Sequence, residues 1–224
     1  MSGYDIKVNE KLFPDVVHKI KNSLGGIGGF ATLLEKDLGS KDPRIRLVKR
    51  IQTGVVKLNE LIINLTTLIS LSKPSLKKVQ LQSIIRSAWR NLFEEDDELN
   101  ALMTAHSNDK NGAIELYADP YLMGKLFFHA IQFTQLVDTK IEKIDITSQS
   151  EACIRVTFYL LKNSTSGNLK GNITQMVNSC EPVEARLSLA IVLKMVELHQ
   201  GRVSFNTKSG DRRILSIQLL KGKE

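Results

Sequence analysis

Apolar residues recur along the first third of the chain at alternating steps of four and three. The first series is Phe13, Val17, Ile20, Leu24, Ile27, Ala31, Leu34 and Leu38. After a short polar stretch the same spacing resumes in Val48, Ile51, Val55, Leu58, Ile62, Leu65 and Ile69. This spacing is typical of helices that pack along a coiled-coil-like seam. The sequence therefore predicts two long helices of about 27 residues each.

A short connection separates the two predicted helices. Residues 39–43 read Gly-Ser-Lys-Asp-Pro, so a glycine ends the first helix and a proline suits the first turn of the second. Such a short loop favours an antiparallel helical hairpin. The second helix carries an apolar face too broad for one partner helix, because it also holds Leu47, Val56, Leu61, Ile63, Leu68 and Leu71. A dimeric four-helix bundle made by two chains is the simplest arrangement that covers this face.

Pro74 ends the hairpin, which divides the chain into a predicted first domain of residues 1–74 and a second of residues 75–224. In the second domain we expect three helices, at residues 83–93, 120–135 and 183–199. An acidic run at 94–98 lies near the end of the first. Asp119 opens the second, and Gly201 stops the third. Predicted strands are 79–81, 113–117, 143–147, 154–161, 203–205 and 214–219, and residues 163–180 are predicted to form a loop. The second domain is therefore expected to be a mixed sheet with helices packed against it, in the α+β class.

Composition narrows the function classes. The chain has 224 residues, 42% of them hydrophobic, and no apolar stretch long enough to cross a bilayer, so we expect a cytoplasmic globular protein. Its two cysteines, Cys153 and Cys180, indicate neither a disulfide framework nor a metal site. The net charge of +7 favours acidic partners. Nucleic-acid binding would rest on this charge alone, so we do not expect it.

His18 is the first candidate for chemistry. It follows the seam residue Val17, so its side chain is expected beside the buried stripe and facing outward. A neutral imidazole is a nucleophile near neutral pH, and its phosphorylated form passes its phosphoryl group readily to a carboxylate. Asn22 is one helical turn further on the same face, where its amide can hold a water, a phosphoryl oxygen or an incoming side chain. Without further context, an exposed helical histidine is most often an ordinary solvated residue.

The segment around His18 supplies that context. Residues 17–24, Val-His-Lys-Ile-Lys-Asn-Ser-Leu, and residues 29–34, Gly-Phe-Ala-Thr-Leu-Leu, resemble the H-box of the dimerisation and phosphoacceptor domain of sensor histidine kinases. The resemblance implies that His18 is the phosphoacceptor and Asn22 its helper. Most such kinases have an acidic residue directly after the histidine, which serves as base during attack on ATP; this chain has Lys19. A cation cannot be that base, but it can help to hold a phosphoryl group that has already been delivered.

Residues 25–29, Gly-Gly-Ile-Gly-Gly, are unusual for a helix interior. Each interior glycine costs roughly 1 kcal/mol relative to alanine, so four in five residues require a reason. One reason is a smooth surface below His18 on which a partner docks closely. The other is local bending or tight packing inside the bundle.

The second half resembles the catalytic domain of histidine kinases, which is related to gyrase, heat-shock chaperone and mismatch-repair ATPases. The resemblance is carried by residues 119–134, which are similar to the N-box helix, and by residues 188–203, which are similar to the helix and strand after the ATP lid. It implies an α/β sandwich of the Bergerat type.

Three nucleotide-binding features of that family are altered. His129 and Lys125 stand where the N-box offers asparagine or similar polar groups, and magnesium prefers oxygen ligands. Leu160-Leu161-Lys162-Asn163-Ser164 lacks the aspartate that reads adenine. Residues 181–188, Glu-Pro-Val-Glu-Ala-Arg-Leu-Ser, contain no glycine and two carboxylates where backbone amides should cradle phosphate. The sandwich is thus predicted to be degenerate, with His129 as a partly buried structural histidine rather than a metal ligand.

These features together favour a histidine phosphotransferase of a two-component phosphorelay, a homodimer that shuttles phosphoryl groups between receiver-domain aspartates through His18. It would need no cofactor of its own, since the response-regulator receivers supply magnesium and carboxylates. Lys19, Lys21 and the basic net charge would assist docking to acidic receivers. Two alternatives are a divergent active histidine kinase and a non-enzymatic dimeric scaffold or inhibitor.

Overall fold

A computed structural model describes residues 12–70, 73–93, 97–106, 113–150, 152–162, 173–207 and 212–222. The chain divides into two compact units, Met1–Ser70 and Leu71–Glu224.

The first unit is the predicted antiparallel hairpin. Helix α1 spans Leu12–Leu38 and helix α2 spans Ile45–Ile69. Gly39 has a φ of +67°, the left-handed conformation that commonly ends a helix. Before α2, the Asp42 carboxylate accepts the Arg44 backbone N–H at 2.8 Å and an Arg44 guanidinium N–H at 2.7 Å. The Arg44 side-chain hydrogen bond is the main cause that lowers the pKa of Asp42 to about 2.

The contact between α1 and α2 buries only part of the predicted seam. Val17, Leu24, Ala31 and Val48 are buried. Gly28 faces Val55 of α2, since a Cβ at residue 28 would lie 3.5 Å from Val55 Cγ1. Another group, expected in the seam, stays 42–48% exposed: Ile20, Ile27 and Leu34. One partner helix covers one side of an apolar stripe, and this group lies on the other side.

The second unit contains seven strands and five helices within the described residues. In chain order they are β1 (Lys77–Gln80), α3 (Leu81–Arg90), α4 (Asp97–Leu102), β2 (Met103–His106), β3 (Glu115–Ala118), α5 (Pro120–Leu136), β4 (Thr139–Ser150), β5 (Cys153–Lys162), α6 (Ile173–Ser179), α7 (Val183–Leu198), β6 (Arg202–Thr207) and β7 (Arg212–Leu220). The large sheet has the order β2-β4-β5-β7-β6, and β1 pairs separately with β3. Because β2 is parallel to β4 and the other pairs are antiparallel, the predicted mixed sheet is confirmed.

The core of this unit lies between one face of the large sheet and the helices. Alternate residues of β5 and β7 are fully buried, as strand geometry requires: Ile154, Val156, Phe158, Leu160, Leu215, Ile217 and Leu219. Helix α5 lies between α3 and α7 and contributes Leu126, Phe127 and Ile131. The chain is therefore a helical hairpin followed by an α/β unit, as the α+β prediction stated.

The predicted opening of α5 is confirmed. The Asp119 carboxylate accepts backbone N–H groups of Tyr121 and Leu122 at 3.0 Å and of Ser75 at 2.8 Å. Partial burial raises the pKa of Asp119, but these backbone hydrogen bonds outweigh it and hold the pKa below its ordinary value. Asp119 thus fixes both the helix start and the segment that enters the second unit.

Some predicted elements were wrong. Residues 163–180 were expected to be a loop, but 173–179 form α6, whose buried Met176 anchors it against α7 and β6; residues 163–172 lie outside the described part. Asp97 and Glu98 of the acidic run begin α4, a helix that the sequence did not predict, and β2 was missed as well; residues 94–96 lie outside the described part. In the described parts of the chain, no helix combines the length and the apolar character that crossing a bilayer requires.

Candidate functional site

His18 lies on α1 with its side chain exposed, as predicted. Successive helical residues are rotated by about 100°, so the burial of Val17 against α2 turns His18 toward solvent. The Asn22 amide nitrogen lies 3.0 Å from His18 Nδ1. The structure therefore brings together the two residues that the sequence paired.

Lys19 is also exposed, but it is one residue further and about 100° around the helix from His18. Its backbone carbonyl accepts the Ser23 hydroxyl at 3.1 Å. Lys21 and Asp15 are three residues from His18 in either direction and are both exposed on its side of the helix. Lys19 and Lys21 therefore place positive charge near His18.

The glycine segment below His18 is helical and largely uncovered. A Cβ built at Gly25, Gly26 or Gly29 meets no atom within 4 Å, whereas Gly28 faces α2. Gly25 and Gly29 are seven and eleven residues after His18, which places them within about 20° of it around the helix. Within the hairpin, three of the four glycines thus leave a smooth open surface, and two of these lie on the His18 face.

In the second unit, two of the altered nucleotide-site positions, His129 and Ser188, are connected where α5 packs against α7. His129 of α5 is 2% exposed, and its Nδ1 lies 3.2 Å from Gln132 Oε1. The Ser188 hydroxyl of α7 donates to the same Gln132 oxygen at 3.0 Å. Because that oxygen can only accept, His129 Nδ1 carries the proton. A hydrogen-bonded chain of three side chains, of which His129 and Ser188 are buried, therefore joins the two helices.

Burial also sets the charge of His129. Desolvation is the main cause that lowers the pKa of His129 to about 4; the nearby Lys125 lowers it further, and the Gln132 hydrogen bond opposes the change. His129 is therefore neutral at physiological pH. Lys125 itself lies with Nζ 5.8 Å from the Tyr121 ring centroid and 6.0 Å from that of Phe128.

Residues 181–188, where the resemblance to histidine kinases places the phosphate-binding segment, form an ordinary helix start. Helix α7 begins at Val183 after Pro182, so Glu184 and Arg186 are already helical residues. The Arg186 guanidinium donates to the Asn178 backbone carbonyl at 3.4 Å and lies 4.0 Å from Glu181. Within the described ranges, no three His, Cys, Asp or Glu side chains cluster as ligands of a metal ion.

The sequence indicated His129 and Lys125 as altered site residues, but it did not single out Gln132 and Ser188 as the residues hydrogen-bonded with His129. Gln132 is three residues after His129, on the same helical face. Ser188 is the last residue of the glycine-free segment. The pairing of these two depends on how α5 and α7 pack, which local sequence does not determine.

The fold of this chain is found in solved structures of other proteins. No protein-family model matches the sequence, and no curated protein matches it. Among solved structures, full-length ShkA in complex with AMPPNP aligns with a TM-score of 0.69 at 14% identity, over 95% of this chain and 46% of ShkA. The histidine kinase ThkA in complex with the response regulator TrrA aligns with a TM-score of 0.62 at 16% identity, over 95% of this chain and 62% of ThkA.

The Acinetobacter baumannii histidine kinase AdeS aligns with a TM-score of 0.58 at 10% identity, over 92% of this chain and 98% of the AdeS chain. The chain thus spans about half of ShkA and under two thirds of ThkA. Identities this low show the fold alone. The chain has the fold of a sensor histidine kinase core, a helical hairpin followed by an α/β domain.

Proposed function

We propose that this chain is a histidine phosphotransferase of a two-component phosphorelay, which carries phosphoryl groups on His18 and does not take them from ATP. The observation that carries the proposal is the hydrogen-bonded chain of His129, Gln132 and Ser188 at the α5–α7 junction. Two of its members, His129 and Ser188, stand at positions where the resemblance to histidine kinases places nucleotide contacts. His18, in contrast, is exposed and has its helper Asn22 within hydrogen-bond distance.

The α5–α7 junction is unsuited to a magnesium nucleotide for two reasons. His129 is buried and hydrogen-bonded to Gln132, so an imidazole stands where magnesium prefers an oxygen ligand. A phosphate cradle needs free backbone amides and close approach, but Glu184 and Arg186 carry long side chains there. Glu184 also repels triphosphate. The second unit is thus proposed to keep the ATPase-like fold without the autokinase activity.

A homodimer is proposed to form through the apolar surface that the hairpin leaves uncovered. On α1 this surface consists of Val16, Ile20, Ile27, Phe30 and Leu34, and on α2 of Leu47, Ile51, Leu58, Leu65 and Ile69, each at least 42% exposed. Both sets repeat with a period near seven residues, so each forms one stripe along its helix. A second hairpin would cover these stripes and complete a four-helix bundle. His18 lies on a different side of α1 from the α1 stripe.

The proposed partners are response-regulator receiver domains. ThkA, which shares the fold, has been solved in complex with a response regulator. In this chain, the smooth surface at Gly25 and Gly29 gives a partner close access beside His18, and Lys19 and Lys21 favour an acidic pocket. The receiver would bring its own magnesium ion and carboxylates, so this chain needs none.

The transfer step requires little from this chain beyond a positioned imidazole. A His18 ring nitrogen forms a bond to the phosphorus of a receiver aspartyl-phosphate. The phosphorus–oxygen bond to the aspartate breaks, and the carboxylate leaves with the electron pair. The reverse reaction on a second receiver regenerates His18, so the protein acts as a carrier.

One observation favours the alternative of a divergent active kinase: ShkA, which shares the fold, was solved with the nucleotide analogue AMPPNP. Two labelling reactions decide between the functions. We expect label from a phosphorylated receiver, none from radiolabelled ATP, and none in His18→Gln; His106→Gln is the matched control and should label normally. Label from ATP alone would establish a kinase. No label from either donor would leave the non-enzymatic scaffold.

A further inference from the structure

The hydrogen bond between Asn22 and His18 distinguishes the two ring nitrogens. Asn22 engages Nδ1 at 3.0 Å, and both side chains are exposed. Nε2 therefore is the nitrogen left open to an incoming group. The two ring nitrogens therefore have different roles: Nδ1 holds the hydrogen bond and Nε2 is available for reaction.

A carboxamide can serve Nδ1 in two ways. Its NH₂ group donates to a ring nitrogen that carries a lone pair, and its oxygen accepts from a ring nitrogen that carries a proton. A 180° rotation of the Asn22 amide exchanges the two groups at nearly the same position. In the structure the NH₂ group faces Nδ1.

The two orientations match the two chemical states of a carrier histidine. Before transfer, Nε2 needs a free lone pair, so the proton of the neutral ring must be on Nδ1, where the Asn22 oxygen accepts it. During transfer the Nδ1 proton passes to solvent water, so that afterwards Nε2 bears the phosphoryl group and Nδ1 has a lone pair, to which the Asn22 NH₂ group donates. One residue thus fits both the nucleophile and its phosphorylated product.

We propose, on the basis of the proposed phosphotransfer, that Asn22 is a positioning residue that directs the phosphoryl group to Nε2 and lengthens the lifetime of phosphorylated His18. Its amide accepts from Nδ1–H before transfer and donates to Nδ1 afterwards. The Lys19 side chain, one residue from His18, has no acceptor for Nδ1–H, so Asn22 supplies it.

The lifetime effect follows from how a phosphohistidine breaks down. Water attacks phosphorus, the phosphorus–Nε2 bond breaks, and the electron pair stays on Nε2. The ring leaves readily only when Nδ1 is protonated, because it then departs as neutral imidazole. A donor hydrogen bond that occupies the Nδ1 lone pair competes with this protonation and slows the loss.

A carboxylate at the same position would act differently. It only accepts, so it favours a proton on Nδ1 in both states. The other charged side chains near His18 are Asp15, Lys19 and Lys21 of α1, while residues 61–69 at the end of α2 include none. An amide therefore suits a carrier that must hold its phosphoryl group until a second partner arrives, whereas an acid suits faster release.

The test uses phosphoramidate, a small phosphoryl donor, so it needs neither a receiver nor ATP. Its phosphorus–nitrogen bond breaks, and ammonia is released after it takes up a proton from water. Wild type, Asn22→Ala, Asn22→Asp and the matched control Asn64→Ala are phosphorylated, and the decay of the His18 label is followed after donor removal. The nitrogen that bears phosphorus is identified by nitrogen-15 and phosphorus-31 NMR, with His18→Gln to assign the signals.

We expect the label to decay about threefold faster in Asn22→Ala than in wild type, as the loss of one modest hydrogen bond implies. Asn22→Asp should decay faster still, and Asn64→Ala should match wild type. Wild type should carry phosphorus on Nε2 alone and Asn22→Ala on both nitrogens. NMR of the unphosphorylated proteins should show a larger Nδ1–H share in Asn22→Asp than in Asn22→Ala.

Equal decay rates and equal nitrogen selectivity in wild type and Asn22→Ala would overturn the assignment. That result leaves the proposed function intact if receivers still label His18. The reverse outcome, ordered decay rates without labelling by any receiver, would remove the proposed function and retain the role of Asn22.

Discussion

The Ser188 hydroxyl donates to Gln132 Oε1 at 3.0 Å and thereby joins α7 to α5 inside the second unit. The same oxygen also accepts from His129 Nδ1 at 3.2 Å, so one acceptor satisfies two buried donors. Both Ser188 and His129 are at most 2% exposed. The stability of the α5–α7 junction therefore depends on Gln132 and on the protonation state of His129.

Acid should destabilise the second unit through His129. Its pKa is lowered from 6.5 to about 4 in the folded state, chiefly by burial, so between these values the unfolded chain binds more protons than the folded one. Stability contributed by neutral His129 is complete above pH 6.5 and is lost as the pH falls toward 4. The full loss is about 3 kcal/mol by linkage. Urea unfolding measured from pH 7.5 to pH 4 should show this decline.

The control for this experiment is the exposed His18 of the first unit. Replacing His129 by glutamine should flatten the decline below pH 6.5, whereas His18→Gln should leave it unchanged. An equally steep decline in His129→Gln would assign the acid sensitivity to other groups.

Removing the shared acceptor should cost more than removing one donor. Gln132→Leu leaves the His129 N–H and the Ser188 hydroxyl buried without that acceptor, so the free energy of unfolding should fall by about 2–4 kcal/mol. Ser188→Ala removes one donor and should cost about 1 kcal/mol. The double variant should be less destabilised than the sum of the singles, because the network is already broken. Additive losses in urea unfolding would contradict a connected network.

Gly201 should tolerate no side chain. A Cβ there would overlap the Gln218 backbone carbonyl oxygen and lie 2.8 Å from Val196 Cγ1, where α7 ends against β7. Gly201→Ala should therefore lower the free energy of unfolding by about 2 kcal/mol or more. Gly124→Ala is the matched control: it lies within α5 with no atom within 4 Å of its Cβ position, and it should stabilise by up to about 1 kcal/mol. A neutral Gly201→Ala in thermal unfolding would contradict this geometry.

Long periodic elements were predictable because the signal is repeated along them. The apolar spacing of α1 and α2, and the Asp119 cap of α5, determine these helices from local sequence. The four-residue strand β2 and the short helices α4 and α6 were not predictable in this way. They are held by packing, as buried Leu99 and Met176 show, and one buried residue makes no periodic pattern.

The candidate sites show the same division. His18 and Asn22 are one helical turn apart, so their contact follows from spacing alone. Gln132 and Ser188 are 56 residues apart, and their contact exists only after two helices have packed on a sheet. The sequence predicted every seam residue to be apolar contact surface, but it did not predict which of these residues the hairpin itself would bury. Periodicity does not say which side of the stripe faces the sister helix.

The proposed dimer should dissociate when charge enters the uncovered stripes. Ile27 is 48% exposed and Leu58 49% exposed within a single hairpin, so glutamate at either position is tolerated by the monomer but would be buried between two chains. We expect Ile27→Glu combined with Leu58→Glu to raise the dimer dissociation constant at least about 100-fold. Light scattering over a concentration series measures it. Thr32→Glu, on another side of α1, should leave the dimer intact; a double variant that still dimerises like wild type would exclude these stripes.

The glycine segment offers a test between docking and bending. Gly25, Gly26 and Gly29 all have open space, and replacing any of them by glutamine adds helix propensity, so none should reduce thermal stability. Gly25 and Gly29 lie on the His18 face, whereas Gly26 is about 80° around the helix from His18. If a receiver approaches along that face, Gly25→Gln and Gly29→Gln should slow transfer from a phosphorylated receiver by about tenfold or more. A tenfold change corresponds to about 1.4 kcal/mol in the barrier. Gly26→Gln should slow the transfer much less. If the glycines serve instead to bend the helix, all three variants alter transfer to the same extent. Labelling by phosphoramidate, which needs no docking, should be equal in all of them and shows that His18 remains reactive.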